Sequence, residues 1–451
     1  MSGRRPASPP LRALPGLLRK LAVDRLGMMR DAAALDDAVL VSLGPKKLFV
    51  FNRPDYAKHV LADNAANYRK GIGLAESRKM LGDGLLTSEG DLWRRQRSTV
   101  QPAFKPARVT THAQAVAQET VKLRDLLARR GAHGPLDVLQ EVTGFTLGVL
   151  GRTVLDTGLH AHGGIAHAFE AVQDQAMFDM VTQNTVPTWA PLATQRRFRR
   201  SRRELRRTVD ELVADRSARL NDTPTADDDA FALMIAAARR HTDPRAGYEQ
   251  LRDELVTLLL AGHETTASTL GWTLLLLARH PHLRDLVRQE ARAVLDHGRA
   301  PDAGDLHKLT YTTQVVQEAM RLYPPVWILP RVALQPDEVG PYAVPSGADV
   351  LICPYTLHRH PALWERPEQF DPSRFDPARL ADRPRYAYIP FGAGPRFCVG
   401  SGLGMMEAVF VTALLTRDLD LDTLPGDDRT PEPMMSLRMR GGLPMTVRPL
   451  R

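Results

Sequence analysis

Apolar residues recur three and four positions apart through most of the chain, and this spacing predicts amphipathic helices over 112–130, 135–156, 164–183 and 194–220. The longest such run covers 248–279 and stops at His280-Pro281, because a proline disfavours helix in the residue before it. Shorter runs predict helices over 282–296, over 311–323 ahead of Pro324-Pro325, and over 402–417. Val39 to Phe51 is rich in Val, Leu and Phe and is broken by Gly44-Pro45, which predicts a β-hairpin. Residues 326–356 form short apolar runs cut by Pro and Gly and read as strands, and a last hairpin is expected around Arg440-Gly441-Gly442. Residues 221–229 are polar and read as a loop. Residues 364–391 carry aromatics and prolines in irregular order and read as an extended, wrapped segment. The expected architecture is mostly α with a small β part whose strand signals cluster near the two ends. No Gly/Ser linker and no internal repeat divides the chain. A tail and first helix over 1–35 and one large domain over 36–451 are therefore expected.

Composition narrows the functional classes. The chain has 451 residues, 43% hydrophobic and 25% charged, enough apolar material for a large core. The most apolar stretch, Leu255 to Ala278, is interrupted by His263, Glu264 and several threonines, so it reads as a buried helix and not a bilayer span. The N-terminal residues lack an uninterrupted apolar segment, and a cytoplasmic protein without a transmembrane segment is expected. Two cysteines, Cys353 and Cys398, do not make a disulfide framework. The net charge of +8 concentrates in Arg196 to Arg207, with eight arginines, which reads as a solvated helix face. No nucleic-acid-binding signature accompanies it, and no nucleic-acid partner is expected.

The chemistry centres on the string Phe391-Gly392-Ala393-Gly394-Pro395-Arg396-Phe397-Cys398-Val399-Gly400. A cysteine that ligates iron needs a tightly bent backbone, supplied by Gly394 and Gly400, and a shielded sulfur, for which Phe391 is placed. The helix opening after Cys398 turns its positive end toward the thiolate. Read alone, the string also fits a buried cysteine in a glycine-rich turn. Ala261-Gly262-His263-Glu264-Thr265-Thr266 sets an acid and hydroxyls inside an apolar helix, which costs free energy unless they have partners or a role. Gly262 is expected to permit a widened turn there. Glu318 and Arg321 share a helix face, as do Trp93 and Arg97.

The ten-residue string resembles the haem-binding loop of the cytochrome P450 family, Phe-x-x-Gly-x-Arg-x-Cys-x-Gly, with every fixed position present. Ala261 to Thr266, Glu318-Ala319-Met320-Arg321, Phe370-Asp371-Pro372-Ser373-Arg374-Phe375 and Trp93-Arg94-Arg95-Gln96-Arg97 resemble further family motifs, and the likeness runs from about residue 35 to the end. It implies haem b (iron protoporphyrin IX) held by Cys398 as the metal ligand. Trp93, Arg97, Ala261, Arg331, Phe391, Gly392, Arg396 and Gly400 are implied as cofactor contacts, with Trp93, Arg97, Arg331 and Arg396 at the propionates. It implies that Glu264 and Thr265 supply protons for O₂ activation. It makes Glu318, Arg321 and Arg374 a structural charge network, and Leu86, Ala261, Val326, Trp327 and Ile328 the walls of a pocket for a largely apolar small molecule. The implied activity is a haem-thiolate monooxygenase of bacterial secondary metabolism, fed by NAD(P)H through a ferredoxin and its reductase. A haem-based gas sensor or carrier, and peroxide-driven oxidation or oxidative coupling on the same fold, are the alternatives. Two positions depart from the pattern, Gly404 in place of Ala and Ser373 in place of Glu. Cys353 is expected in the core, and His358 and His360 are expected to be structural.

Overall fold

The computed structural model describes residues 4–10, 13–43, 46–159, 164–182, 185–222 and 229–450. A helical body packs around the central helix Pro244–Arg279. Pro244 occupies its first turn and the Asp243 side chain accepts from the Arg245 and Ala246 backbone N–H groups, so the start is fixed locally. Apolar residues are buried on every side of it from Leu251 to Leu277, the signature of a helix sunk in a core. Around it lie Val138–Val154, Ala230–Arg239, Thr310–Leu322 and Ser401–Asp418. The Trp272 ring stacks on Tyr323 at 3.8 Å and fastens the central helix to the residue that ends Thr310–Leu322.

The principal sheet has five strands in the order Ala38–Leu43, Lys46–Phe51, Asp349–Ile352, Leu329–Ala333, Tyr68–Lys70. The first two form the expected hairpin, with Val39 opposite Val50; its turn, Gly44-Pro45, lies outside the described residues. Lys46–Phe51 then runs parallel to Asp349–Ile352, which joins the N-terminal hairpin to strands from the second half of the chain in one sheet. At the far edge Lys70 pairs with Arg331 across the antiparallel register.

Several sequence expectations need correction. The first 35 residues hold two helices, Leu14–Val23 and Arg25–Leu35, because Asp24 leaves helical geometry at φ −148° and caps the Gly27 N–H. Helices Gly90–Val100 and Ala230–Arg239 also form outside the periodic runs. The first two residues of the expected loop over 221–229 are helical, since the helix Ala193–Asp222 includes them; residues 223–228 lie outside the described residues, as does Gln183 at the expected end of the 164–183 helix. The hairpin around Arg440-Gly441-Gly442 is not one. The chain turns there with φ of +75° and +72° at the glycines, but Leu437–Met439 pairs with Pro431–Pro433, and Pro444–Pro449 pairs with Leu419–Thr423 and Leu136–Asp137. The arginine-rich run behaves as a solvated face: Phe198, Leu205 and Val209 are buried, while Arg197, Arg200 and Arg207 pair with nearby carboxylates. Among the described residues no helix is long and apolar enough to cross a membrane.

Candidate active site

The cysteine loop is shaped by its backbone. The Cys398 N–H donates to the Phe391 carbonyl at 3.0 Å and draws the two ends of the loop together. Gly392 and Gly394 take φ of +71° and +66°, the left-handed region that favours glycine, and a Cβ on Gly394 would meet the Leu61 carbonyl oxygen at 1.9 Å. Gly400 does not carry the bend expected of it: it sits at φ −87° as the residue before Ser401–Asp418, and a Cβ there would meet only Phe104, at 3.8 Å. Cys398 is exposed toward an internal cavity of about 460 Å³ and packed against protein on its other sides. Burial pushes its thiol pKa up, opposed by the Gly400 N–H and the Arg97 charge. A bound metal ion would deprotonate such a thiol outright.

Beside the cysteine the cavity is ringed by cations. Lys70, Arg97, Arg331 and Arg396 all line it. Lys70 and Arg331 are held next to each other by strand register, and both are buried. Burial lowers the Arg331 pKa to about 10, with Arg396 adding repulsion and Glu89 opposing. Burial likewise lowers the Lys70 pKa to about 7, and its Nζ bonds the carbonyls of Ser88 at 2.7 Å and Leu85 at 3.1 Å. Arg396 pairs with Glu89 and lies 4.5 Å over the Trp93 ring, while Arg97 Nη1 donates to the Phe397 carbonyl at 2.8 Å. Four cations with Glu89 beside them leave this end of the cavity short of negative charge, and two carboxylates would meet that shortfall with charge-assisted hydrogen bonds. The residues therefore fit a dianionic porphyrin, with Cys398 bordering the same cavity. Sequence reading missed Lys70 and Glu89, which carry no motif; what reveals them is the edge-strand register to Arg331 and the Arg396 ion pair.

The opposite wall is the central helix. Ala261, Gly262, Glu264 and Thr265 line the cavity, and Thr265 Oγ1 donates to the Ala261 carbonyl at 2.8 Å. The Glu264 carboxylate accepts from Gln173 Nε2 of the helix Gly164–Val181. His263 points away into the core, its ring 5.3 Å from Phe169, and burial lowers its pKa. The widened turn expected at Gly262 is absent, since the helix runs unbroken there; a Cβ would meet Leu150 Cδ1 at 2.8 Å, so close helix packing explains the glycine. Gly404 faces Thr266 with room for a methyl, 3.5 Å from the hydroxyl, so its departure from Ala is without structural consequence. Leu86, Val326, Trp327 and Ile328 complete the lining, although the Trp327 indole is anchored in the core, its Nε1 donating to the Met434 carbonyl at 2.9 Å.

Behind the cysteine loop Glu318 and Arg321 are both 0% exposed. Arg321 spends all five donors: Nε and Nη2 on Glu318 at 2.7 and 2.8 Å, Nη1 on the carbonyls of His358 and Pro367, and Nη2 also on that of Gln369. Arg374 Nε lies 3.4 Å from Glu318 Oε1, joining the same network. His358 accepts the Ile389 N–H on Nε2, which ties the network to the segment leading into the cysteine loop, and His360 pairs with Asp37. Cys353 is buried in the core, donating to the Trp327 carbonyl. Ser373 N–H bonds Asp371 Oδ1, so the serine departure serves a local turn.

The cytochrome P450 family model matches residues 17–445. Cyclooctatin synthase of Streptomyces melanosporofaciens is 36% identical over 91% of this chain and 89% of its own length. Cyclooctat-9-en-7-ol 5-monooxygenase of the same organism is 32% identical over 89% and 86%. Pentalenene oxygenase of Streptomyces avermitilis is 29% identical over 90% and 89%. These findings set aside the sensor or carrier alternative: the chain belongs to the cytochrome P450 family and is a haem b monooxygenase that takes O₂, a small-molecule substrate and electrons from a redox partner.

Proposed function

We propose that this monooxygenase holds its haem through Cys398 and oxidises a largely apolar terpenoid in bacterial secondary metabolism. The observation that carries the reading is one cavity bordered by the cysteine, the four cations and the Glu264-Thr265 pair. Lys70, Arg97, Arg331 and Arg396 would hold the propionates, and Phe391, Gly392, Gly400 and Ala261 would border the ring. When bound, haem supplies O₂ activation and transfer of one oxygen atom to a C–H bond. The chain's own residues do the rest. Thr265 donates to the Ala261 carbonyl, which leaves its oxygen lone pairs free to accept a proton-bearing water. Glu264, fixed by Gln173, is the group that passes protons to that hydroxyl. Leu86, Val326 and Ile328 exclude water and orient the substrate by apolar contact. The relatives' names, two of which specify cyclooctatin chemistry and one pentalenene, support a terpenoid.

The reduced, carbon-monoxide-treated protein is expected to show the thiolate-type absorption band; a band of the nitrogen-ligand type would overturn the assignment of Cys398. Thr265→Ala is expected to lower product formation about 10²-fold while NADPH consumption persists. Unchanged product yield per NADPH would remove Thr265 from the proton route.

Electrons are proposed to come from an acidic ferredoxin in a cytoplasmic setting. Arg94 and Arg95 are exposed on the helix that carries Trp93 and Arg97, and Arg94 pairs with the neighbouring Asp91 side chain. Charge reversal at both is expected to slow ferredoxin-driven turnover roughly tenfold, most at low salt, because steering of an acidic partner is lost. Peroxide-driven turnover should stay unchanged, and equal loss in both assays would sink the docking role.

A further inference from the structure

Glu89 is the residue before the helix Gly90–Val100, a position whose side chain ordinarily accepts from the first N–H groups of the helix it precedes. Its carboxylate makes no such bond. It reaches instead to the cationic end of the cavity. Oε1 accepts the Lys70 N–H at 2.6 Å, and Oε2 pairs with Arg396. One carboxylate thus joins the edge strand Tyr68–Lys70 to the cysteine loop. Glu89 is not part of the cavity lining, whereas Lys70 and Arg396 are, so it acts on a bound group through them.

Its charge is felt beyond its two partners. It opposes the effect of burial on Lys70, Arg331 and Arg396 alike, favouring the charged form of each. Arg396 has two further holds, the Trp93 ring at 4.5 Å and the Ser88 carbonyl at 3.5 Å, so its seat does not rest on the carboxylate alone. Two propionates beside Lys70 would restore the proton that burial weakens, since an opposite charge favours the charged form. Lys70, Arg97, Arg331 and Arg396 set against two propionates leave two positive charges in excess, and Glu89 reduces the excess to one. Excess positive charge near the iron favours the form that carries one more electron.

We infer that Glu89 is a positioning residue that tunes the bound haem: acting through Arg396 and Lys70, its charge holds the one-electron reduction potential below the value the four cations alone would give. Electrons must then come from a correspondingly stronger reductant. This rests on the reading above that Lys70, Arg97, Arg331 and Arg396 hold the propionates.

The test is a spectroelectrochemical titration of the haem-loaded, substrate-free enzyme, with haem release to apomyoglobin followed in parallel. Glu89→Gln keeps the size of the side chain and an acceptor oxygen for the Lys70 N–H. It should shift the one-electron reduction equilibrium ~3- to 10-fold toward the ferrous form, ~30 to 59 mV upward at ~59 mV per decade, a range kept small because Glu89 is only partly buried. Glu89→Asp keeps the charge and should move the potential by less than half of that. Haem release from Glu89→Gln should be no faster than from wild type, because the pull of the cations on the propionates rises; loss of a merely structural tie would speed it. An unchanged or lowered potential in Glu89→Gln, an equal rise in Glu89→Asp, or faster haem release from Glu89→Gln overturns the role of Glu89. Arg97→Gln tests the propionate reading by itself. It should lower the potential and speed haem release; a variant with both unchanged overturns that reading, and the role of Glu89 with it.

Discussion

Cys398→Ser is expected to leave a folded protein that has lost its thiolate-type absorption band and nearly all NADPH-driven oxidation. The loop does not depend on the sulfur for its shape. The Cys398 N–H to Phe391 carbonyl bond, the left-handed Gly392 and Gly394, and the close approach of Gly394 to Leu61 all survive the change. What is lost is a donor that a metal ion can strip of its proton: a thiol starts near pKa 8.5, whereas an alcohol lies far above it. Without thiolate electron density, O–O cleavage is no longer favoured. Because losing an outer partner of a metal ligand already costs about 10- to 100-fold in activity, losing the ligand should cost more than 100-fold. Circular dichroism should remain that of wild type. A serine variant with an unaltered carbon-monoxide spectrum and unaltered turnover would show that some other group holds the iron.

The parts of this molecule legible in its sequence are those encoded locally. The cysteine loop needs glycine at Gly392 and Gly394 and leaves a ten-residue string. The central helix needs apolar residues all round and a proline stop, and leaves a long periodic run. The edge of the principal sheet leaves no such trace. Lys70 reaches the cavity only because a three-residue strand finds its partner 261 positions later at Arg331, and nothing near Lys70 announces that pairing. The C-terminal turn misled for the same reason. Gly441-Gly442 specifies a reversal of the chain, but which strands pair is decided by packing against Leu136–Asp137 and Leu419–Thr423. Gly262 and Gly400 show a different failure: each glycine was expected to serve backbone freedom, and Gly262 instead makes room for Leu150. A glycine demanded by a neighbour's side chain looks the same in sequence as one demanded by its own torsions.

Arg321→Ala is expected to give little folded, haem-loaded protein. Arg321 is 0% exposed and makes five hydrogen bonds, so removing it strands one buried carboxylate and three backbone carbonyls. The carbonyls of His358, Pro367 and Gln369 lose donors at a cost of ~1–3 kcal/mol for each left unsatisfied. Glu318 keeps only the more distant Arg374 and the Asp371 N–H. A buried pair broken on one side typically costs about 3–5 kcal/mol, which is a large share of a stability of roughly 5–15 kcal/mol. The sign of the pH dependence follows from Glu318. Burial already pushes its pKa up, and Arg321 is the largest opposing influence, so in the variant the carboxyl takes a proton more readily. A raised carboxyl pKa contributes stability that is present at low pH and lost as pH rises through it. The variant should therefore be least stable at alkaline pH and recover partly near pH 5. Arg321→Lys, with three donors for five acceptor sites, should fall between the two. The measurements are haem absorbance relative to protein absorbance and the melting temperature at pH 5 and 8. A variant with wild-type haem content, or one that melts higher at pH 8 than at pH 5, would show that Glu318 does not depend on Arg321.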